Sequence, residues 1–597
     1  MQEPVRLGAY FDNDTANFAL FSSHATAVIL GLFKGNEIKE IPLQRSGDIW
    51  HVSIPGLPSE IQYAYRCEGP YDEKKGLLFK KDQWLIDPYA KKVINGRAVL
   101  EKEKTFDWQG IQQPQIPLEE LVIYEMHVRG FTLHSSSQVM HPGTYLGLLE
   151  KIPYLKELGV NAIELMPIFD FNQAATKLTN YWGYNPFHYF VPMHMYGNLE
   201  ELKTLVRELH RNQIQIFLDV VYSHTGEGNN KNFAISFRGI DNSAYYLLNQ
   251  EGEFLDFSGC GNTLHCNHPA VQKLILDSLQ YWIEEVHIDG FRFDLASIFS
   301  LDSKGEVLSQ PPLIQAISQL KDVKLIAEPW DMGLNQQGYF AKWGPWLEWS
   351  QTFRDTSRNF IKGTGQASSF ANVFTGNKAE FQKAQSSINY ITCHDGFSLR
   401  DLVSYNQKHN EDNGEQNRDG QTLNNSWNCG AEGPVSDEKI NAFRERQMRN
   451  FFLTLFLSQG TPMMLMGDEY GHTHKGNNNP YLQDNELNWF LWDELEKNKD
   501  IFHFVSSLIA FRKKYLHPDQ NIQWHDTTFI LQNLLIAFNP SAQNLKVQLP
   551  STHQWRLVVN TEASWSQNHL SDPSKGPVFP TEIELIPYST LLAIKSS

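Results

Sequence analysis

The sequence predicts an α/β protein: a (β/α)8 TIM barrel flanked by an N-terminal β-sandwich and a C-terminal antiparallel β-domain. Three observations carry that expectation. The chain has 597 residues, several times the common domain length. After Pro117, apolar strand-like runs alternate with amphipathic helical stretches, and such repeated β-then-α units are best satisfied by a closed barrel with loop insertions. Before and beyond that region the pattern is β alone. The expected divisions are 1–112, 113–504 and 505–597.

In the first part, Asn17–Ser22, Ala27–Phe33, Ile49–Ile54 and Ile61–Cys67 are rich in β-formers, and turn residues such as Lys34-Gly-Asn and Pro55-Gly separate them. In the second, the strand-like runs are Val122–Val128, Val160–Leu165, Ile214–Val221, Ile288–Asp294, Val323–Glu328, Ile388–Asp395 and Pro462–Asp468. Helical periodicity falls over Tyr145–Leu158, Leu199–Arg211, Pro269–Glu285, Leu313–Leu320 and Arg444–Leu457. An open doubly wound sheet would compete, but no Gly-rich phosphate loop follows any of these strands. In the third part, Thr528–Gln532, Leu534–Phe538, Leu545–Leu549, Trp555–Val559 and Ser589–Ile594 form the closing β set. The polar, Asn-rich segment 406–433 is either a surface loop or, because it follows a barrel strand, part of an active site.

The composition is that of an ordinary globular protein: 41% hydrophobic, 20% charged and 13% aromatic. Lys and Arg supply 51 positive charges against 68 from Asp and Glu, a net of −17. That balance argues against nucleic acid or an anionic membrane as partner, whereas a neutral glycan meets no electrostatic penalty. The five cysteines are scattered and odd in number, which favours a reducing compartment over a disulfide framework. Cys260 and Cys266 fit no common metal spacing. The N-terminus lacks a secretory pattern, and the most apolar run, Phe451–Met466, is interrupted by Ser458–Pro462. A soluble, cytoplasmic protein is expected.

In such a barrel the chemistry gathers where the strands end. Four runs end in polar groups: Asp219-Val-Val-Tyr-Ser-His224, Gly290-Phe-Arg292-Phe-Asp294, Ile326-Ala-Glu328-Pro-Trp330 and Thr392-Cys-His394-Asp395-Gly. Strand side chains alternate faces, so Arg292 and Asp294 share one face and Phe291 and Phe293 the other. An Arg beside an Asp favours the ionised carboxylate that a nucleophile needs. Glu328 lies among Ala327, Pro329 and Trp330, apolar neighbours that raise a carboxyl pKa as a general acid requires. Two carboxyl groups driven apart in this way are the machinery for cleaving glycosidic bonds. Each residue alone reads as a buried ion pair or a structural histidine. In this order on the strands of one barrel they point to chemistry. His394 and Asp395 are adjacent, so one of them must sit on the bend into the following loop.

These four segments resemble, in order, the signature regions of the α-amylase superfamily. Tyr124-Glu-Met-His-Val-Arg-Gly-Phe-Thr, Asn180-Tyr-Trp-Gly-Tyr-Asn-Pro186 and the 406–433 loop are similar to glycogen and starch debranching enzymes of isoamylase type. Pullulanases carry Asp before that Pro, so Asn185 favours the isoamylase branch. Pro70-Tyr71-Asp and Leu85-Ile-Asp-Pro-Tyr89 are also similar to the isoamylase N-terminal domain. The resemblance implies that Asp294 is the nucleophile, Glu328 the acid and then base, and Asp395 the carboxylate that grips sugar hydroxyls. It further implies that Arg292 holds the nucleophile, that His224 and His394 donate to the sugar, and that Tyr184 stacks on it. The mechanism it implies is retaining, with closely spaced carboxyls.

Many members of the superfamily place Asn before the first-segment His, where it helps bind calcium. This chain has Ser223, so neither a metal nor another cofactor is expected. Among the tryptophans of the barrel's second half, Trp330 and Trp427 are taken as groove residues on which sugar faces pack, and the others as core or loop packing. The N-terminal sandwich is taken to pack against the barrel, since no paired exposed aromatics stand out. The partner implied is a branched α-glucan such as glycogen, amylopectin or a limit dextrin, with cleavage at α-1,6 linkages. The alternatives are a glucan-transferring branching enzyme, a trehalose-releasing hydrolase, or a catalytically silent glucan-binding subunit.

Overall fold

The computed structural model describes residues 6–175, 178–517, 522–550, 554–579 and 582–596. Alternation builds the N-terminal part. In Thr15–Phe21, Ala16, Phe18 and Leu20 are buried, which makes that strand one side of a sandwich. One sheet pairs Gly8–Asp12, Thr15–Phe21, Ile49–Pro55 and Gln44–Ser46. The other pairs Val93–Ile94, Arg97–Glu101, Glu60–Glu68, Ala27–Lys34 and Glu37–Pro42. The sandwich is pinned to the barrel by Asp241, a fully buried carboxylate on the loop helix Phe237–Tyr245. Its Oδ2 accepts from the backbone N–H of Ser23 at 2.8 Å and of His24 at 3.0 Å.

Eight parallel strands close the barrel in chain order. They are β1 (Ile123–Met126), β2 (Ala162–Leu165), β3 (Gln215–Val220), β4 (Gly290–Phe293), β5 (Lys324–Ala327), β6 (Trp346–Trp349), β7 (Ser387–Asn389) and β8 (Thr461–Leu465). The closing pair aligns Ile123 with Met463. Every residue of β1, β2, β3 and β4 is buried, as expected of strands covered on both faces.

Several differences from the sequence reading have local causes. β6 was not anticipated. It has only four residues, Trp-Leu-Glu-Trp, too short and too mixed to show a run, and Trp346 and Trp349 are both buried in it. The helix expected over Tyr145–Leu158 is two helices, Tyr145–Glu150 and Ile152–Leu158. Pro153 lacks an N–H and suits a first turn but not a helix interior. The helix Lys499–Tyr515 runs straight through the division expected at 504/505. Its Val505, Leu508 and Ile509 are buried, and Arg512 donates to the carbonyls of Phe456 at 2.7 Å, Ser458 at 2.8 Å and Gly460 at 2.6 Å. That helix therefore packs with the barrel, and β structure resumes at Ile522. The last sheet orders Ile522–His525, Thr528–Leu531, Leu534–Asn539, Ser589–Lys595 and Trp555–Asn560, all antiparallel, with Leu545–Gln548 and Glu582–Leu585 as a separate pair.

Candidate active site

Arg292 is the centre of the site. β3 and β4 pair Asp219 directly with Arg292, so the two side chains stand side by side on one face. The guanidinium Nη1 donates to Asp219 Oδ1 at 2.9 Å and Oδ2 at 3.0 Å, and to Asp294 Oδ1 at 3.1 Å. Its Nη2 lies 2.9 Å from Glu328 Oε2. The Trp349 ring on β6 lies under the cation, 4.3 Å from the guanidinium carbon to the ring centroid. A single buried cation thus holds three carboxyl groups from the ends of β3, β4 and β5. The Asp294 and Glu328 side chains each keep 11% of their exposure, so neither carboxyl is sealed from an incoming sugar.

The turn that follows Asp294 completes the cluster. Leu295 sits at φ 44°, a left-handed conformation that costs a non-glycine residue about 1–2 kcal/mol. That bend aims the Leu295 N–H at Glu328 Oε2, at 2.8 Å. Burial is the largest influence on the Glu328 carboxyl and raises it. Arg292 opposes the shift, Asp294 adds to it, and the net result is a rise to about 8.

Tyr184 reaches Asp219 Oδ2 with its hydroxyl at 2.5 Å, and its ring stacks on His394 with centroids 4.8 Å apart. His224 is held through both ring nitrogens, Nδ1 against Ser223 Oγ at 2.9 Å and Nε2 against the Tyr184 carbonyl at 2.7 Å. The Ser223 hydroxyl also lies 3.4 Å from Asp294 Oδ2. This position, where calcium would be sought, is therefore engaged in hydrogen bonds within the site. Among the described residues no group of three or more His, Cys, Asp or Glu side chains is arranged to hold a metal ion. β7 ends at Asn389, so His394 and Asp395 both lie in the loop beyond it. Asp395 is half-buried and accepts from Gln421 Nε2 at 3.0 Å.

That hydrogen bond settles the place of the 406–433 segment. It is knitted together by its own asparagines, for example Asn413 Nδ2 to Asp419 Oδ2 at 2.8 Å and Asn410 Nδ2 to Asn478 Oδ1 at 2.9 Å. Through Gln421 it reaches the site.

Of the two tryptophans taken as groove residues, Trp330 lies two positions beyond Glu328, half-buried against a cluster that includes Trp349, Tyr390 and Cys393. Trp427 requires a correction. Its ring packs on Phe443 at 5.1 Å and on Tyr588 of the C-terminal sheet region at 5.0 Å. A polar loop carries it, but an apolar seam between barrel and C-terminal domain was available to bury it. Trp427→Ala is expected to cost about 2 kcal/mol, visible as a lower Tm in calorimetry, with kcat/KM of the folded enzyme unchanged within about twofold.

Sequence reasoning assigned no role to Asp219, Glu125, Trp182 or Gln421. Trp182 meets His394 edge-on at 4.8 Å. With Tyr181, Trp489 and His394 it lines a small cavity of about 20 Å³. Carboxylates inside apolar strands, such as Glu125 and Asp219, were the available signal for the first two.

A (β/α)8 barrel with acids clustered on one Arg and aromatic rings at its mouth fits the glycoside-hydrolase class of protein. Residues 112–254 and 241–553 match the α-amylase catalytic domain, and residues 6–90 match carbohydrate-binding module 48, the isoamylase N-terminal domain. Rice (Oryza sativa subsp. japonica) chloroplastic isoamylase 1 is 41% identical over 95% of this chain and 83% of its own length. The glycogen debranching enzyme of Enterobacter sp. is 37% identical over 93% of this chain and 95% of its own length. Among solved structures, the pullulanase of Bacillus acidopullulyticus superposes with a TM-score of 0.81 at 25% identity, covering 99% of this chain and 75% of that one. The chain belongs to the α-amylase family, in the branch that carries the isoamylase-type N-terminal domain.

Proposed function

We propose that this protein hydrolyses α-1,6 branch linkages of glycogen or a starch-like glucan by a retaining double displacement. One observation carries the reading: Arg292 gathers Asp294 and Glu328 at the mouth of the barrel, in a chain 41% identical to an isoamylase. Carboxyls bound to the two amino groups of one guanidinium are close together. That supports direct nucleophilic attack rather than the wider spacing that an inverting enzyme needs for its water.

In this reading the Asp294 carboxylate attacks the anomeric carbon while Glu328 gives its proton to the departing α-1,6 oxygen. The main chain leaves as an alcohol, and the branch remains esterified to Asp294. Glu328, now a carboxylate, takes a proton from water. The hydroxide formed displaces Asp294, returning the anomeric carbon to its first configuration and Glu328 to its acid form. Asp395, fixed by Gln421, accepts from hydroxyls of the distorted sugar. His394 donates to it, and the Tyr184, Trp182 and Trp330 rings bound the space where it sits. His224 would reach it only by giving up its bond to the Tyr184 carbonyl, and otherwise holds that residue in place.

The test is to incubate the protein with glycogen or amylopectin and separate the products by chain length. Linear chains with new reducing ends are expected. Absence of new ends, or ends arising from linear α-1,4 glucans alone, would overturn the specificity. New branch points would identify a transferase instead, and a silent glucan-binding subunit would bind glycogen without cleaving it. A cytoplasmic location is part of the proposal. The rice relative is named chloroplastic, and fractionation of the native cells would decide the matter.

A further inference from the structure

Glu125 and Glu164 stand opposite each other on β1 and β2, and both are buried. Their surroundings differ sharply. Glu125 grips one residue twice: its Oε1 lies 2.6 Å from His394 Nδ1, and its Oε2 accepts from the His394 backbone N–H at 3.0 Å. Glu164 has both carboxyl oxygens buried with no hydrogen-bond partner. An ionised carboxylate in that position, beside a second carboxylate, would be strongly disfavoured.

We propose that Glu125 is a positioning residue, holding His394 in one ring orientation as an imidazolium whose Nε2–H is presented to a glucan hydroxyl, while Glu164 stays a neutral acid beside it. The proposal rests on the reading that His394 meets the sugar. With Nδ1 taken by Glu125, Nε2 is the nitrogen left for substrate, and the partner of one ring nitrogen dictates the state of the other.

The other groups facing the ring are consistent with this. Tyr184 Oη lies 3.3 Å from Nδ1, and the Trp182 and Trp349 rings pack on it at 4.8 Å and 6.1 Å. Burial lowers the His394 pKa, Glu125 and Asp219 raise it, Arg292 lowers it, and the net direction is up. Asp395 is its chain neighbour. For Glu164, burial is the largest cause of a pKa well above the ordinary range, with Glu125 and Asp219 adding to it.

The sign follows from the charge. A function that needs the imidazolium is present at low pH and is lost as pH rises through the His394 pKa. Glu125→Gln removes the principal raising influence and leaves burial, so that loss moves to lower pH. Glu164→Gln replaces a neutral acid by a neutral amide and leaves the His394 titration in place.

The experiment is nitrogen NMR of histidine-labelled full-length protein, with the His394 signal identified by its disappearance in His394→Gln. Wild type is expected to keep both ring nitrogens protonated at neutral pH, Glu125→Gln to lose one there, and Glu164→Gln to titrate like wild type. In parallel, Glu125→Gln should lower kcat on glycogen by about 10²-fold, the scale of one lost preorganised donor, with KM within about threefold. If the amide variant does not fold, Glu125→Asp keeps the charge and should keep His394 protonated. A neutral His394 in wild type, an unmoved titration in Glu125→Gln, or a moved one in Glu164→Gln overturns the proposal. The NMR result stands whether or not the protein debranches glycogen, so failure of the functional reading shows separately, in the wild-type assay.

Discussion

Glu328→Gln is expected to lower kcat on glycogen by about 10²- to 10⁴-fold, the contribution typical of general acid–base catalysis. The amide retains the shape and can still accept from the Leu295 N–H, which lies 2.8 Å from Oε2 in the native protein. What it lacks is the proton. The loss should therefore depend on the leaving group. A sugar alkoxide needs protonation to depart, whereas fluoride does not, so α-maltosyl fluoride should still glycosylate Asp294 in the variant. Release of the covalent intermediate would then be slow, because no base activates water. Azide, which needs no base, should restore turnover and yield an α-configured glycosyl azide. Wild type should show kcat/KM falling as pH rises through about 8, where burial places the Glu328 carboxyl. In the variant with the fluoride substrate the part of that fall due to Glu328 should vanish, leaving the one that follows His394. Equal losses of kcat/KM, which reports the glycosylation step, on glycogen and on the fluoride would mean that Glu328 is not the acid.

The legible part of this site was the part written in single strands. β3, β4 and β5 are apolar runs that stop at charged residues, and alternation alone places Arg292 and Asp294 on a shared face. Relations between strands were not legible. That Arg292 also binds Glu328, through Nη2, follows from the barrel's closure and stagger and not from any spacing in the chain. Glu125 lies in a segment similar to those of isoamylase-type enzymes, yet its contact with His394 joins the first strand to the loop after the seventh. β6 escaped notice because the barrel buries Trp346 and Trp349 on opposite faces of a four-residue strand, and so short a run has no measurable period. Trp427 was misplaced for a related reason. A tryptophan in a polar loop looks available to a ligand until a second domain is found covering it. The helix Lys499–Tyr515 crosses the division expected near residue 505, with Val505, Leu508 and Ile509 buried in it, whereas the β runs of the last part begin later in the chain.

Asp294→Asn should be the more damaging change, with kcat reduced on the order of 10⁴- to 10⁶-fold, the scale of removing a nucleophile from a concerted group. The amide is nearly isosteric and its oxygen can still accept from Arg292 Nη1, a contact of 3.1 Å in the native protein, so the fold and the substrate cleft should survive. Two consequences separate a lost nucleophile from a disturbed cleft. A 2-deoxy-2-fluoro maltosyl donor with a good leaving group slows both steps and, in wild type, should leave a glycosyl ester on the peptide containing Asp294, detectable by mass spectrometry after proteolysis. The variant should carry no label there while still binding maltotetraose with a Kd within about threefold of wild type. The second consequence is electrostatic. Asp294 is one of the influences that raise the Glu328 carboxyl, so neutralising it leaves Arg292 less divided and lets Glu328 ionise at lower pH. Infrared titration of the carboxyl stretch in Asp294→Asn, with Asp294→Asn/Glu328→Gln as the blank, should show that downward move. A label found on another carboxylate in wild type, or a Glu328 titration that rises when Asp294 is neutralised, would break the assignment of nucleophile and acid at its root, because both roles depend on one guanidinium dividing its charge between these two groups.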